Sequence, residues 1–239
     1  IISAKGVRGT MIYKGVELYN VHELLDDQQG EGAICTRIPS DLRPKLNDSA
    51  RSQALFTTGC EVRFVLNSDQ AAIVLRSPER PAVVEVYQGC FRTAWHVIDA
   101  EPSAISIVLP GNIEELADLS DEQGLPFDAR LTVAEQPGHA GEGAIDIQGR
   151  FELPRPEQTP STKLLCYGSS ITHGAATIGA TGTYAARTAQ HLGVDLINLG
   201  FGGGAHLERE MADYIAGRND WDLATLEIGI NVIPHIDVA

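Results

Sequence analysis

Apolar residues recur at every second position through the first ~150 residues, the spacing that turns one face of a strand toward a core. In CEVRFVLNSDQAAIVLRS, Val62, Phe64 and Leu66 alternate with Glu61, Arg63 and Val65. Asn67-Ser68-Asp69 then supplies a turn and AAIVLR resumes, which predicts a hairpin. AVVEVYQGCFRTAW repeats the pattern around Gln88-Gly89, and ISIVLPG, RLTVAEQPG and AIDIQGRFEL add three more short runs. Between them, SDLRPKLND predicts a helical turn and NIEELADLSDEQG a short acidic helix or loop. Short strands parted by Gly, Pro and Asn turns predict an antiparallel β-sandwich, jelly-roll-like, over residues 1–153.

PRPEQTPSTK, residues 154–163, carries Pro154, Pro156 and Pro160 and predicts a stiff, exposed linker at a domain boundary. Beyond it the period lengthens. KLLCYG is a short apolar strand, TYAARTAQHLG a helix ending at Gly193, and VDLINLG a second strand. HLEREMADYIAG predicts a helix ending at Gly217 and DLATLEIGIN a third strand. Strand–helix–strand–helix–strand makes two crossover units and a parallel sheet, so the overall class is α/β. The strand ends YGSS, NLGFGGG and GIN then share the carboxyl edge, where open α/β sheets hold their ligands.

Charge narrows the partners. The net charge of -14 repels phosphate backbones and anionic lipid surfaces, which disfavours nucleic acid and membranes. The chain begins IISAKGVRG, without a charged-then-apolar signal pattern, and a cytoplasmic location is expected. Cys35, Cys60, Cys90 and Cys166 form no CxxC pair; four free thiols are expected, with a Cys60–Cys90 bridge as the alternative. No metal or organic cofactor is implied.

The candidate chemistry lies at the strand ends. Gly168 and Ser170 fit the start of a G-x-S-x-G elbow, but Thr172 stands where its last glycine should be. Gly168-Ser169-Ser170-Ile171-Thr172-His173-Gly174 resembles instead the first signature block of the SGNH (GDSL-type) esterases, G-D-S-[LI]-x-x-G. The resemblance makes Ser170 the nucleophile, with Ser169 in the usual aspartate's place. Asn198 to Ala205 resembles the second block, whose glycine gives an oxyanion-hole N–H; Gly203 aligns with it, and Gly202 is the alternative. Gly229-Ile-Asn231 resembles the third block, G-x-N, whose asparagine is a further donor. Residues 36–77 are similar to the β-sandwich that precedes the catalytic domain in two-domain SGNH carbohydrate esterases. That implies an SGNH-type three-layer domain over residues 164–239, its N-terminal part only.

Physical chemistry agrees with the resemblance, because acyl transfer needs preorganised donors around a tetrahedral oxyanion. Singly, each block has a plainer reading: a helix cap, a flexible or phosphate-binding turn, a turn asparagine. A serine also needs a base. The fifth SGNH block, Asp-x-x-His, is not found after Asn231, so the base is expected beyond Ala239. His173, His206 and His235 are weaker choices, and His206 is the candidate substrate contact. Glu208 and Glu210 read as a solvated helix face. Tyr87, Phe91 and Trp95 read as core packing, with a sugar-stacking platform as the alternative. The expected activity is ester hydrolysis on a small molecule, such as an acetylated carbohydrate. Acyl transfer to an alcohol is the alternative, and a non-catalytic ligand-binding module is a second class.

Overall fold

Alternating apolar positions become paired strands in the computed structural model, which describes residues 11–26, 32–68, 70–136 and 144–233. The strands are β1 (Met11–Tyr13), β2 (Val16–Tyr19), β3 (Glu23–Asp26), β4 (Ala33–Thr36), β5 (Glu61–Leu66), β6 (Gln70–Leu75), β7 (Ala82–Gln88) and β8 (Phe91–Ile98). They continue as β9 (Ser103–Val108), β10 (Leu131–Glu135), β11 (Ala144–Gln148), β12 (Phe151–Glu152), β13 (Lys163–Gly168), β14 (Asp195–Gly200) and β15 (Leu223–Glu227). The α-helices are α1 (Asp48–Gln53), α2 (Ile113–Gln123), α3 (Ser170–His173), α4 (Tyr184–Leu192) and α5 (Arg209–Gly217).

Two antiparallel sheets build the sandwich. One runs β1-β2-β5-β10-β7-β8 with β12 on β5, and the other runs β3-β4-β11-β6-β9. Val62, Phe64, Val84 and Val86 of the first meet Ile73, Leu75, Ile105 and Ile107 of the second in one core. The β7–β8 hairpin forms as the sequence predicts, pairing Gln88 with Phe91. Its Gly89 has φ +54, and a Cβ there would lie 2.7 Å from the Asp128 carbonyl oxygen.

The hairpin predicted over β5 and β6 does not form. β5 lies in one sheet and β6 in the other; Asp69, in the connection, lies outside the described residues. Period-two alternation says which face is buried but not which strand is the neighbour. Both strands turn apolar faces to the same core from opposite sides.

The aromatic expectation also needs correction. Trp95 is 63% exposed, and Tyr87 and Phe91 are half-buried, so none is a core residue. Glu85, Tyr87 and Trp95 lie on the outer face of their sheet, opposite Val84 and Val86.

The third sheet is parallel, in the order β14-β13-β15. Leu164 and Cys166 on one face pack with Ala185, Ala186 and Ala189 of α4. Leu165 and Tyr167 on the other face pack with Met211 of α5. A chain that crosses from β13 to one side and then back past it must place successive crossover helices on opposite faces if both are right-handed. α4 stops at Gly193, whose φ of +65 suits a left-handed cap.

The proline-rich stretch is pinned rather than simply exposed. Gln158 is buried, its side chain accepts from the Arg155 N–H at 2.9 Å, and its carbonyl accepts from the Asp128 N–H at 3.1 Å. The sandwich also shares a core with the parallel sheet, where Tyr19, Ile38, Leu42, Leu46 and Ala54 meet Leu165, Ile197, Leu199 and Phe201. Arg63, 1% exposed, donates to both Asp195 oxygens at 2.8 and 2.6 Å and to Glu61 at 2.5 Å. Its guanidinium also lies 3.7 Å from the Tyr19 ring centroid.

All four cysteines are free; Cys35, Cys60 and Cys166 are buried and Cys90 is exposed. The Cys60 thiol donates to the Asn20 carbonyl at 3.3 Å, so the alternative bridge to Cys90 is not made.

Two outcomes follow. Replacing Arg63 by Ala strands two buried carboxylates and is expected to lower unfolding free energy by about 3–5 kcal/mol, measured by urea denaturation; a loss below about 1 kcal/mol would show the tie to be dispensable. A thiol reagent should modify Cys90 alone in the native protein and all four cysteines after unfolding; a second fast-reacting native thiol would contradict the buried placement of the other three.

Candidate active site

The turn after β13 is built around a carboxylate that the sequence reading did not single out. Ser169 is the N-cap of α3, its hydroxyl accepting from the Ile171 N–H at 3.3 Å. Glu227 Oε2, at the end of β15, accepts from the Ser169 N–H at 2.8 Å, the Ser169 hydroxyl at 2.5 Å and the Thr172 hydroxyl at 3.3 Å. Thr172 Oγ1 also pairs with Tyr184 OH at 2.9 Å. Crowding makes Gly168 obligatory, since a Cβ there would lie 2.2 Å from Thr172 Oγ1 and 2.8 Å from Glu227 Oε2. Ser170 thereby opens α3 with its position set by the residues on either side.

The glycine triplet comes next to it. A Cβ on Gly202 would lie 3.8 Å from the Ser170 Cβ, so Gly202 is the member nearest the serine. Gly203 adopts φ +68, while a Cβ on Gly204 would meet Ala50 of α1 at 2.6 Å. The sandwich half thus packs directly under the loop. Asn47, which caps α1, donates to the Gly204 carbonyl at 2.9 Å and to the Glu208 carboxylate. Glu208 is therefore a tie to α1 and not a solvated face; Glu210 is exposed.

Asn231 lies in the turn after β15, and its Oδ1 accepts from the Ala205 N–H at 3.4 Å. With Oδ1 engaged there, the amide's Nδ2 is the group left to donate. Among the described residues, the N–H groups of Ser170, Gly202 and Gly203 make no hydrogen bond to protein acceptors. They are available to a ligand.

The histidines fall elsewhere. His173 is 2% exposed, with Nδ1 3.1 Å from the Gly200 carbonyl and Nε2 3.2 Å from the Thr58 hydroxyl. It points away from the cleft, as expected of a residue three positions after Ser170 in a helical start. His206 is half-exposed and donates from Nε2 to the Gly203 carbonyl at 3.0 Å. His235 lies outside the described residues.

Behind the site, Asn198 donates to the Thr172 carbonyl at 3.0 Å and accepts from the Gly200 N–H at 2.8 Å. Arg37, 1% exposed, donates to the carbonyls of Asn198 at 3.2 Å, Gly200 at 2.9 Å and Gln53 at 2.7 Å. Burial lowers its guanidinium to a pKa of about 10. Arg37 and Glu227 were the residues missed. Each lies outside the signature blocks, and the one visible signal was a glutamate two residues before Gly229 at a strand end. Among the described residues, no cluster of His, Cys, Asp and Glu is arranged to hold a metal ion.

Residues 161–221 match the family model of the GDSL-like lipases and acylhydrolases, a segment that contains Ser170 and the glycine triplet. No curated protein sequence matches the chain. Solved structures share the fold. A salicylyl-acyltransferase from a tetracycline biosynthetic pathway aligns with TM-score 0.73 and 16% identity over 96% of this chain and 65% of its own. A GDSL-like lipase from Bacteroides ovatus aligns with TM-score 0.58 and 16% identity over 80% and 57%. A family two carbohydrate esterase from Cellvibrio japonicus aligns with TM-score 0.50 and 15% identity over 79% and 63%. The chain thus spans less than two thirds of the length of each of these proteins. With Ser170, the glycine triplet and Asn231 gathered at one sheet edge, residues 161–221 are similar to the GDSL-like lipases and acylhydrolases, and the solved structures share the arrangement of a parallel α/β sheet behind a β-sandwich.

Proposed function

We propose that the protein acts on ester bonds of a small molecule through an acyl-enzyme on Ser170. The observation that carries this reading is the meeting of three separate sequence blocks: Ser170 beside Gly202, and Asn231 bonded to the end of the same glycine loop. Ser170 Oγ attacks the ester carbonyl, its proton passes to a base and then to the leaving alcohol, and the C–O bond of the ester breaks. Donors from Ser170 N–H, Gly203 N–H and Asn231 Nδ2 hold the oxyanion, each worth ~3 kcal/mol where such donors have been removed. Gly202 N–H is the alternative within the triplet.

We place the base outside the described residues, because the His173 ring is bonded to Gly200 and Thr58, and His206 to Gly203. His206 is the proposed substrate contact. Water as second acceptor gives hydrolysis, which is the main reading, with an acetylated carbohydrate as the expected substrate class. An alcohol acceptor gives acyl transfer instead, favoured by the fold match to the salicylyl-acyltransferase.

Ser170→Ala should lower turnover of an aryl acetate by the full-length protein by at least about 10³-fold and abolish labelling by a fluorophosphonate. Retained turnover or labelling at another serine would sink the assignment. Added methanol that diverts product from acetate to methyl acetate would reveal the transfer branch. Glu227→Ala takes the acceptor from the Ser169 N–H and hydroxyl and leaves Thr172 with Tyr184 alone, and kcat should fall about 10- to 100-fold with KM little changed. Glu227→Gln, which keeps one acceptor oxygen, should recover part of that loss. Equal losses in both variants, tracking lowered thermal stability, would make Glu227 merely structural.

A further inference from the structure

The sandwich half reaches the proposed ester site through one helix. α1 is capped by Asn47, whose side chain accepts from the Ala50 N–H at 3.0 Å and donates to Gly204 and Glu208. Ser49 and Gln53 lie four positions apart on that helix, one turn above the other on the same face. Both reach the glycine triplet. A Cβ on Gly202 would lie 3.1 Å from Gln53 Oε1, and a Cβ on Gly203 would lie 3.9 Å from Ser49 Oγ.

Gly202 is the informative position. The point where its Cβ would stand is also 3.8 Å from the Ser170 Cβ, so one carbon placed there touches both Ser170 and the Gln53 amide. Gly202 takes no left-handed φ. Its backbone therefore does not demand a glycine, and what glycine preserves is the gap between these two side chains.

The Gln53 amide is held in place and left unspent. Arg37 donates to the Gln53 carbonyl at 2.7 Å, and the same guanidinium holds the carbonyls of Asn198 and Gly200 just before the triplet. The end of α1 and the end of β14 are thus set by one group. Among the described residues the Gln53 side chain makes no hydrogen bond, and it is half-buried. The charges nearby are already engaged, Arg51 with Asp48 and Glu208 with Asn47. What remains beside Ser170 is a neutral group that both donates and accepts. A substrate hydroxyl does the same and matches it.

We propose that Gln53 is a substrate contact that selects esters bearing a free hydroxyl close to the ester group. This rests on the esterase reading and adds the group by which the sandwich half recognises the substrate.

Steady-state kinetics on the full-length protein test this with two pairs of esters in which a hydroxyl replaces a methyl of similar size. 2-Hydroxyethyl acetate and propyl acetate differ on the alcohol side; ethyl glycolate and ethyl propionate differ on the acyl side. In at least one pair the ratio of kcat/KM values, hydroxyl over methyl, should fall at least about fivefold in Gln53→Leu, the scale of one neutral hydrogen bond. Intrinsic ester reactivity cancels between the two enzymes, and so does any loss of folded protein. Gln53→Asn, a milder change, draws the amide back by one methylene and should lower the same ratio at least about twofold; it decides alone where Gln53→Leu yields no folded enzyme. Ser170→Ala should abolish turnover of all four esters. Ratios that fall less than this in both pairs, with turnover still dependent on Ser170, overturn the role of Gln53 and leave the esterase reading standing. Turnover that is absent from the native protein, or that survives Ser170→Ala, overturns both.

Discussion

Two buried arginines of the sandwich hold one strand of the parallel sheet, and the geometry of everything downstream rests on that grip. Arg63 takes the carboxylate at the start of β14, and Arg37 takes the carbonyls of Asn198 and Gly200 near its end. A buried guanidinium is expensive to desolvate, and here all donor nitrogens but the Arg37 Nε find acceptors of fixed geometry. β14 supplies them from a carboxylate at one end and from peptide oxygens at the other. The strand is thereby fixed in height and tilt against the sandwich, and Asn198 passes the constraint to the turn carrying Ser170 by bonding the Thr172 carbonyl.

The same logic explains how a short helix can hold Ser170, the proposed nucleophile, in place. α3 spans only Ser170–His173 and has little stability of its own. Its order comes from neighbours: Glu227 on the Ser169 side, Asn198 beneath Thr172, and Gly200 and Thr58 on the His173 ring. The glycine loop is ordered in the same way by Asn47 and α1. The geometry of the proposed site is thus imposed from both halves of the chain, while the donors that would face an oxyanion stay unspent.

Much of this was legible in the sequence, and the limits are instructive. Alternation in CEVRFVL and AAIVLR gave the strands and their buried faces, but pairing is decided by how sheets close on each other, and no local signal carries it. The glycines at 168, 200 and 204 could be read as motif letters; that each makes room for a named neighbour needed coordinates. Tyr87 and Trp95 alternate as core residues do, yet they belong to the outer face, where the neighbouring half leaves a cavity instead of a seal. Arg37 and Glu227 were illegible for a simpler reason. A charged residue in a strand or loop usually meets water, and only the fold shows that these two meet buried acceptors and donors instead.

The shared core beneath the glycine loop has a consequence for cooperativity. Sequence periodicity divides the chain at the proline-rich stretch, but the apolar contact between Leu42, Leu46 and Ala54 on one side and Leu199 and Phe201 on the other runs across that division. Severing the chain there would bare this contact in both pieces and leave Arg63, Arg37 and Asp195 stranded without their partners. Each half is therefore part of the solvent-excluding wall of the other, and the loss of either would be felt as a loss of folding free energy across the whole described molecule.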